Sequence, residues 1–124
     1  SLGRVLLASL DESSLERYFA RLSPEALTVK TLVDPCEIRT EIAAVREAGY
    51  STTVDQLDYG ITALAVPIRS ADGRTIAALN TSGYTGMVTP AMLVEERLPR
   101  LWAVASTISH AISQYPALEA VIGT

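Results

Sequence analysis

Hydrophobic residues recur at helical spacing in the first part of the chain, so that they lie on one side of each predicted helix and the polar residues on the other. Residues 3–10 predict a short helix with one apolar side. Asp11 is a suitable N-cap for a second helix, because its carboxylate can accept the unpaired amides of the first turn. That helix is expected to end near Leu22, because the residue before Pro24 is disfavoured in the helical conformation. Residues 27–32 then predict a short extended link.

Two further helices are marked by proline at their first helical position. Asp34 and Pro35 predict the start of a third helix, and Gly49 predicts its end, because glycine adopts the left-handed conformation at little cost. Thr89 precedes the long C-terminal helix, which begins at Pro90. Pro99 is expected to kink or restart this last helix.

Between these helices the pattern changes to the two-residue period of strands. Residues 50–57, 61–69 and 74–82 predict three strands, with turns at 58–60 and 70–73. Asp72 and Gly73 tolerate the backbone angles that a hairpin turn requires. Helices flanking a short antiparallel meander indicate an α+β fold.

The second and third strands carry the most informative side chains. A four-residue loop would pair Arg69 with Arg74, and six residues would then share one face of the sheet, as the pairs Ala65–Ala78, Ala63–Asn80 and Ile61–Ser82. Small apolar walls with an amide and a hydroxyl at one end are typical of a small-ligand pocket. A plainer interpretation is that the alanine face only receives a closely packed helix.

Composition narrows the classes of function. The 124 residues carry a net charge of −4, which disfavours direct binding to a nucleic-acid phosphate backbone. No window is apolar enough to span a membrane, and the N-terminus lacks a clear signal peptide, so a cytoplasmic protein is expected. One cysteine, Cys36, and one histidine, His110, exclude a Cys/His zinc site. We therefore predict neither a metal, nor a cofactor, nor catalytic residues.

Several segments together resemble the effector-binding domain of the IclR (isocitrate-lyase regulator) family. Residues 3–8, GRVLLA, are similar to its GR-x-LLA opening, and residues 41–50, EIAAVREAGY, to the helix and glycine before its sheet. The remaining similar segments are YGITALAVPI at 59–68, AALNTS at 77–82, Leu98-Pro99 and Ile108-Ser109. The NTSG stretch and Leu98-Pro99 are most similar to the subgroup that controls aromatic-acid catabolism through protocatechuate and β-ketoadipate.

The resemblance implies a GAF-like fold and a regulator whose winged helix-turn-helix lies outside this sequence. Residues 1–124 would then be the C-terminal part of a single effector-binding domain, lacking its first strands. The family pocket is lined by a backbone-amide loop entering the first helix and by polar and small strand residues. Carried over residue by residue, these positions are Ser1, Leu2, Thr53, Ile61, Ala63, Asn80 and Ser82.

The resemblance also implies the partners and the mechanism. A small organic acid would be held by neutral donors, namely helix-start amides with Ser82, Asn80 and Thr53. The regulator would associate as a dimer or tetramer and contact DNA only through the missing N-terminal domain. Two other classes stay open: a structural dimerisation module without ligand, and a small hydrolase in which Ser82, His110 and an aspartate converge. No nucleophile-elbow sequence surrounds Ser82, which disfavours the hydrolase.

Overall fold

The computed structural model of the chain describes residues 2–21, 34–55 and 60–122. Helices precede and follow a strand-rich centre, as expected for an α+β fold. In chain order the elements are α1 (Leu2–Ala8), α2 (Glu12–Arg21), α3 (Pro35–Ala48), β1 (Ser51–Val54), β2 (Ile61–Arg69), β3 (Thr75–Tyr84), α4 (Pro90–Glu96), α5 (Leu98–Ser113) and α6 (Pro116–Ile122). The extended link predicted at 27–32 lies outside the described residues.

The predicted helix caps are present. A carboxylate oxygen of Asp11 accepts from the Ser14 amide at 2.7 Å, and one of Asp34 accepts from the Cys36 amide at 2.9 Å. Gly49 ends α3 with φ at 80°, in the left-handed region that glycine occupies without strain. Its amide donates to the Val45 carbonyl at 2.8 Å. These local signals fix both ends of α3.

Among the described residues the strands form one antiparallel sheet in the order β1-β2-β3. β2 has the predicted limits. β1 is shorter than the predicted strand 50–57, because the chain leaves the extended conformation at Asp55, whose φ is 54°. Positive φ is uncommon for a residue other than glycine, and Asp tolerates it better than most. Positions 56 and 57 of the predicted strand lie outside the described residues.

The register of the hairpin differs from the predicted one by two residues. Ala65 pairs with Asn80, Ala63 with Ser82 and Ile61 with Tyr84. The Ser70 amide donates to the Arg74 carbonyl at 2.8 Å, so only three residues form the loop, and that alone would reverse the faces of β3. A bulge between Ile68 and Arg69 inserts Ile76 and restores them. The predicted residues thus stay on one face, although the predicted pairs are wrong.

The core lies on both sides of this sheet. On one side, Leu64, Val66 and Ile68 of β2 pack with Leu93, Leu98 and Ala105 of α4 and α5. On the other side, Ala65 packs with Val5 of α1 and Val45 of α3. α2 is held at the outside of the fold, where Leu15 contacts Ile38 and Ile42 of α3.

The C-terminal helix is divided, as expected, but the break falls at Arg97, two residues before Pro99. Pro99 occupies the first turn of α5, where a missing amide costs no helical hydrogen bond. α6 was not predicted separately from the preceding helix. Within the described ranges, no helix is both long and apolar enough to cross a membrane.

Candidate functional site

Two rows of side chains cross the sheet on the face opposite α4 and α5. The first row is Thr53, Ala63 and Ser82, and the second is Ser51, Ala65 and Asn80. In each row an alanine of β2 lies between two uncharged polar residues of the outer strands. We call these six residues the alanine face. Its pattern follows from strand alternation, because residues two apart point to the same side.

α1 covers one end of the alanine face and leaves the other end more open. Val5 packs on Ala65, and Ala8 packs in the same cluster with Ala78. Ala8 and Ser9 also line a small depression with Pro67 and Thr75, near the hairpin end of the sheet. α1 therefore runs toward the hairpin, and its first residue, Leu2, lies toward the opposite end. Asn80 and Ser82 remain exposed.

The polar groups of the alanine face are neutral, and one of them lacks a hydrogen bond. The side chain of Ser51 is buried, and its hydroxyl has no partner among the described residues. A buried polar group without a partner is costly, which makes such a group a candidate for contact with a ligand or an ordered water. Ser51 was missed from the sequence, although its spacing of two from Thr53 places both on one face.

A hydrogen-bond network links the three strands at the end of the sheet farthest from the β2–β3 turn. One Asp55 carboxylate oxygen accepts from the Gly60 amide at 2.8 Å and from the Thr85 hydroxyl at 2.7 Å. The hydroxyls of Thr85 and Thr62 lie 2.9 Å apart. This network joins the ends of all three strands beside the Thr53–Ser82 row. It connects Asp55, which follows β1, to Thr85, which follows β3.

Arg97 holds β3 from the other side of the sheet. Its Nη1 donates to the Thr81 hydroxyl at 2.9 Å and to the Ser82 carbonyl at 3.2 Å. Because the carbonyl of Ser82 is engaged, the backbone that carries its hydroxyl is anchored to the junction of α4 and α5. No pattern in the sequence predicts this contact, which joins residues 15 positions apart through the tertiary fold.

The predicted site residues are partly brought together. Thr53, Ala63 and Ser82 form one row, Asn80 lies in the next, and Ile61 pairs with Tyr84 beyond them. Leu2 is the first residue of α1, and Ser1 lies outside the described residues. The hydrolase arrangement is not formed by Ser82 and His110. Ser82 faces away from α5, where the His110 Nε2 lies 3.2 Å from the Gln114 amide nitrogen.

The described segments contain no group of three or more His, Cys, Asp or Glu side chains placed to hold a metal ion. Cys36 is exposed at the start of α3. Arg4 of α1, the helix that packs on the alanine face, is a charged side chain with a shifted pKa. Burial lowers the pKa of its guanidinium below the ordinary value, and the charge of Glu41, 3.8 Å away, opposes this shift.

Known proteins resemble this chain over most of its length. The Pca regulon regulatory protein of Pseudomonas putida is 39% identical over 110 residues, which are 89% of this chain and 38% of that protein. The p-hydroxybenzoate hydroxylase transcriptional activator of Acinetobacter baylyi is 32% identical over 112 residues, 90% of this chain and 41% of that protein. The chain thus spans about two fifths of the length of these relatives.

A solved structure gives the same result for the fold. It is a double mutant of the PobR inducer-binding domain from Acinetobacter in complex with 3-hydroxybenzoic acid. It matches with a TM-score of 0.83 and 33% identity, and the match covers 88% of this chain and 62% of that one. Residues 1–111 match the family described as bacterial transcriptional regulator IclR C-terminal. The chain belongs to this family and has the GAF-like fold of its effector-binding domains.

Proposed function

We propose that the alanine face binds a small aromatic carboxylic acid as the effector of a transcriptional regulator. The observation that carries this proposal is the arrangement of the two rows, each with an alanine between two neutral polar side chains. A flat ring would lie over the row of Ala63, beyond the contact of Ala65 with Val5, and the outer strands would supply hydrogen bonds at its edges. The hydroxybenzoate complex of a 33% identical domain supports this class of ligand.

The carboxylate is recognised by neutral donors. A carboxylate only accepts hydrogen bonds, so it requires N–H or O–H groups, which Ser82, Asn80 and Thr53 provide. The exposed hydroxyl of Ser82 and amide of Asn80 serve the carboxylate. The buried Ser51 hydroxyl lies across the sheet from Asn80 and serves a polar substituent on the far side of the ring. Ile61 and Ala63 form the apolar floor.

The start of α1 completes the proposed site. α1 runs across the alanine face with Leu2 at the end away from the hairpin, and the unpaired amides of a helix's first turn carry partial positive charge. Amides at Ser1 and Leu2 would then add to the hydroxyl and amide donors of the strands. Together these groups would offset the loss of water from the carboxylate.

In the whole regulator the bound acid acts on a separate DNA-binding domain. An effector shifts a regulator between states only by the difference in its affinity for them. Ordering α1 against the sheet is the change that the acid favours here, because its donors come from both. Association of two or more copies would transmit this change to paired DNA-binding domains.

Calorimetric titration with 3- and 4-hydroxybenzoate, and with the neutral 4-hydroxybenzamide, tests the proposal. We expect saturable binding of the acids and weaker binding of the amide. Ser82→Ala should weaken the acids by about 1.5–3 kcal/mol, the usual contribution of a hydrogen bond to a charged group. Ser13→Ala, at an exposed serine of α2, is the matched control and should leave binding unchanged.

Equal affinities of Ser82→Ala and Ser13→Ala for the acids would contradict the assignment of the carboxylate to Ser82. Failure of every acid to bind or to raise the unfolding temperature would favour a structural dimerisation module instead. A ligand that binds the native state must stabilise it against unfolding, whereas a module without ligand gives no shift.

A further inference from the structure

The two sides of α5 differ in side-chain size and in burial. One side packs on the core beneath it through Leu98, Leu101, Ala105, Ile108 and Ile112. On the opposite side Ala103, Thr107 and Ala111 follow one another at intervals of four residues, and all three are exposed. Trp102 and Val104 flank them, and each is 47% exposed. We call these five exposed residues the outer face of α5.

The outer face of α5 has no formal charge. The chain has 10 Lys or Arg and 14 Asp or Glu residues, and Glu119 is the only one of them that follows Arg100. α2, by contrast, exposes Glu12, Glu16 and Arg17. The solvent face of a surface helix normally carries charged and polar residues. An exposed face with two large apolar side chains and no charge is typical of an interaction surface.

The polar side chains on this side of α5 find partners within the helix. The Thr107 hydroxyl donates to the Ala103 carbonyl at 3.0 Å. The His110 Nε2 lies 3.2 Å from the Gln114 amide nitrogen. Burial of Thr107 against another protein would therefore leave no hydroxyl without a hydrogen bond, which removes the usual cost of burying a polar side chain.

We propose that the outer face of α5 is an interface between two copies of this chain, in which the two α5 helices pack on each other about a two-fold axis. Each copy has a net charge of −4, so two copies repel, and the electrostatic cost of contact is lowest where neither copy has a charge. A different protein is often selected by complementary charges, which this face does not have. A two-fold interface requires only that one patch fit itself.

The small side chains of the outer face suit such a contact. Two helix axes approach to about 8–10 Å, depending on the side chains between them, and alanine permits the close end of this range. α5 runs from Leu98 to Ser113, so Thr107 lies close to its middle and would meet its own counterpart near the axis. Trp102 would be buried beside it, and a tryptophan in this place is a common anchor of protein interfaces.

Sedimentation velocity of the chain over a range of concentrations tests this interface. We expect a reversible equilibrium between monomer and dimer. The emission of Trp102, the only tryptophan, should move to shorter wavelength as the dimer forms, because the indole loses contact with water. Thr107→Glu and Thr107→Arg should each weaken association at least about tenfold, because equal charges would then face each other across the axis. An equimolar mixture of these two variants should restore the dimer, because the facing charges are then opposite.

Ala44→Glu, at an exposed position of α3, is the matched control and should associate like the unmodified chain. The proposal is overturned if the chain sediments as a monomer at every concentration. It is also overturned if Thr107→Glu associates like Ala44→Glu, because the copies would then meet elsewhere, for example along the edge strand β3. Two Thr107 variants that stay monomeric in the mixture would equally contradict a second copy as the partner of this face. Circular dichroism of each variant confirms that the fold is kept.

Discussion

On one face of the β2–β3 hairpin the side chains are bulky and sealed, and on the other they are small and partly open. Leu64 and Val66 are fully buried under α4 and α5. Ala63 and Ala65, their neighbours in the same strand, lie on the opposite face beside Asn80 and Ser82, which are exposed. Alternation along two strands therefore places bulky core side chains on one face and, on the other, two buried alanines beside two exposed polar side chains.

Side-chain size decides what each face can do. Bulky aliphatic side chains fill the space between the sheet and α5, and burial of apolar surface is the main favourable term in folding. Alanine buries less surface but lets a helix or a ligand approach the sheet closely. On the alanine face α1 uses this space near Ala78, and the row from Thr53 to Ser82 lies beyond that contact.

The largest effect is expected from removing a bulky side chain on the face that α4 and α5 cover. Leu64→Ala should lower the free energy of unfolding by about 2–5 kcal/mol, because it removes a fully buried side chain and leaves a cavity. Urea unfolding followed by circular dichroism measures this loss. Leu118→Ala, at an exposed leucine of α6, is the control and should change stability little.

The same variant also tests the separation of the faces. While the protein remains folded, Leu64→Ala should bind hydroxybenzoates as the unmodified chain does, because its side chain points away from the alanine face. Loss of affinity at unchanged stability would show that the faces are assigned the wrong way round.

A smaller effect is expected from filling the alanine face. Ala65→Leu adds three carbons where Ala65 is fully buried against Val5 and Val45. Overpacking of this kind should cost about 1–3 kcal/mol of unfolding free energy. Ala43→Leu, at an exposed position of α3, is the matched control in the same urea experiment. A stabilised Ala65→Leu would mean that α1 packs loosely enough to receive a larger residue.

Much of the fold could be predicted because its signals are local. The limits of β2, the caps of α3 and the proline at the start of α4 each depend on a few neighbouring residues. The register could not be predicted, because it depends on both a three-residue loop and a bulge at Ile76. Ile76 is placed there by packing with the cluster of β2, α4 and α5, which a strand pattern does not contain.

The candidate site was predictable to the same extent. Alternation along the strands predicts that Ala63, Asn80 and Ser82 share one face of the sheet. They do so in the structure, because the observed register differs from the predicted one by two residues, and a shift by an even number keeps the faces. The hydrogen bonds that hold the strand ends beside these residues could not be predicted from alternation. Asp55 meets Thr85 across 30 positions of sequence, and such tertiary pairs leave no periodic pattern.

The smallest expected effect concerns the turn that joins β2 and β3. The Asp72 carboxylate accepts from the Ser70 hydroxyl, and at 3.1 Å from the Arg74 amide, and these bonds hold its pKa below the ordinary value. A lowered pKa in the folded state means that this contribution to stability is complete above the unfolded pKa of about 3.9 and is lost as the pH falls through the folded pKa. Asp72→Asn keeps an acceptor but does not titrate.

The difference in unfolding temperature between the unmodified chain and Asp72→Asn should therefore be constant above about pH 5 and change only under more acidic conditions. Glu95→Gln, at an exposed carboxyl of α4, controls for general charge loss. A difference for Asp72→Asn that is the same at pH 3 and pH 7 would mean that its carboxylate does not hold the turn, and the register would then depend on the bulge alone.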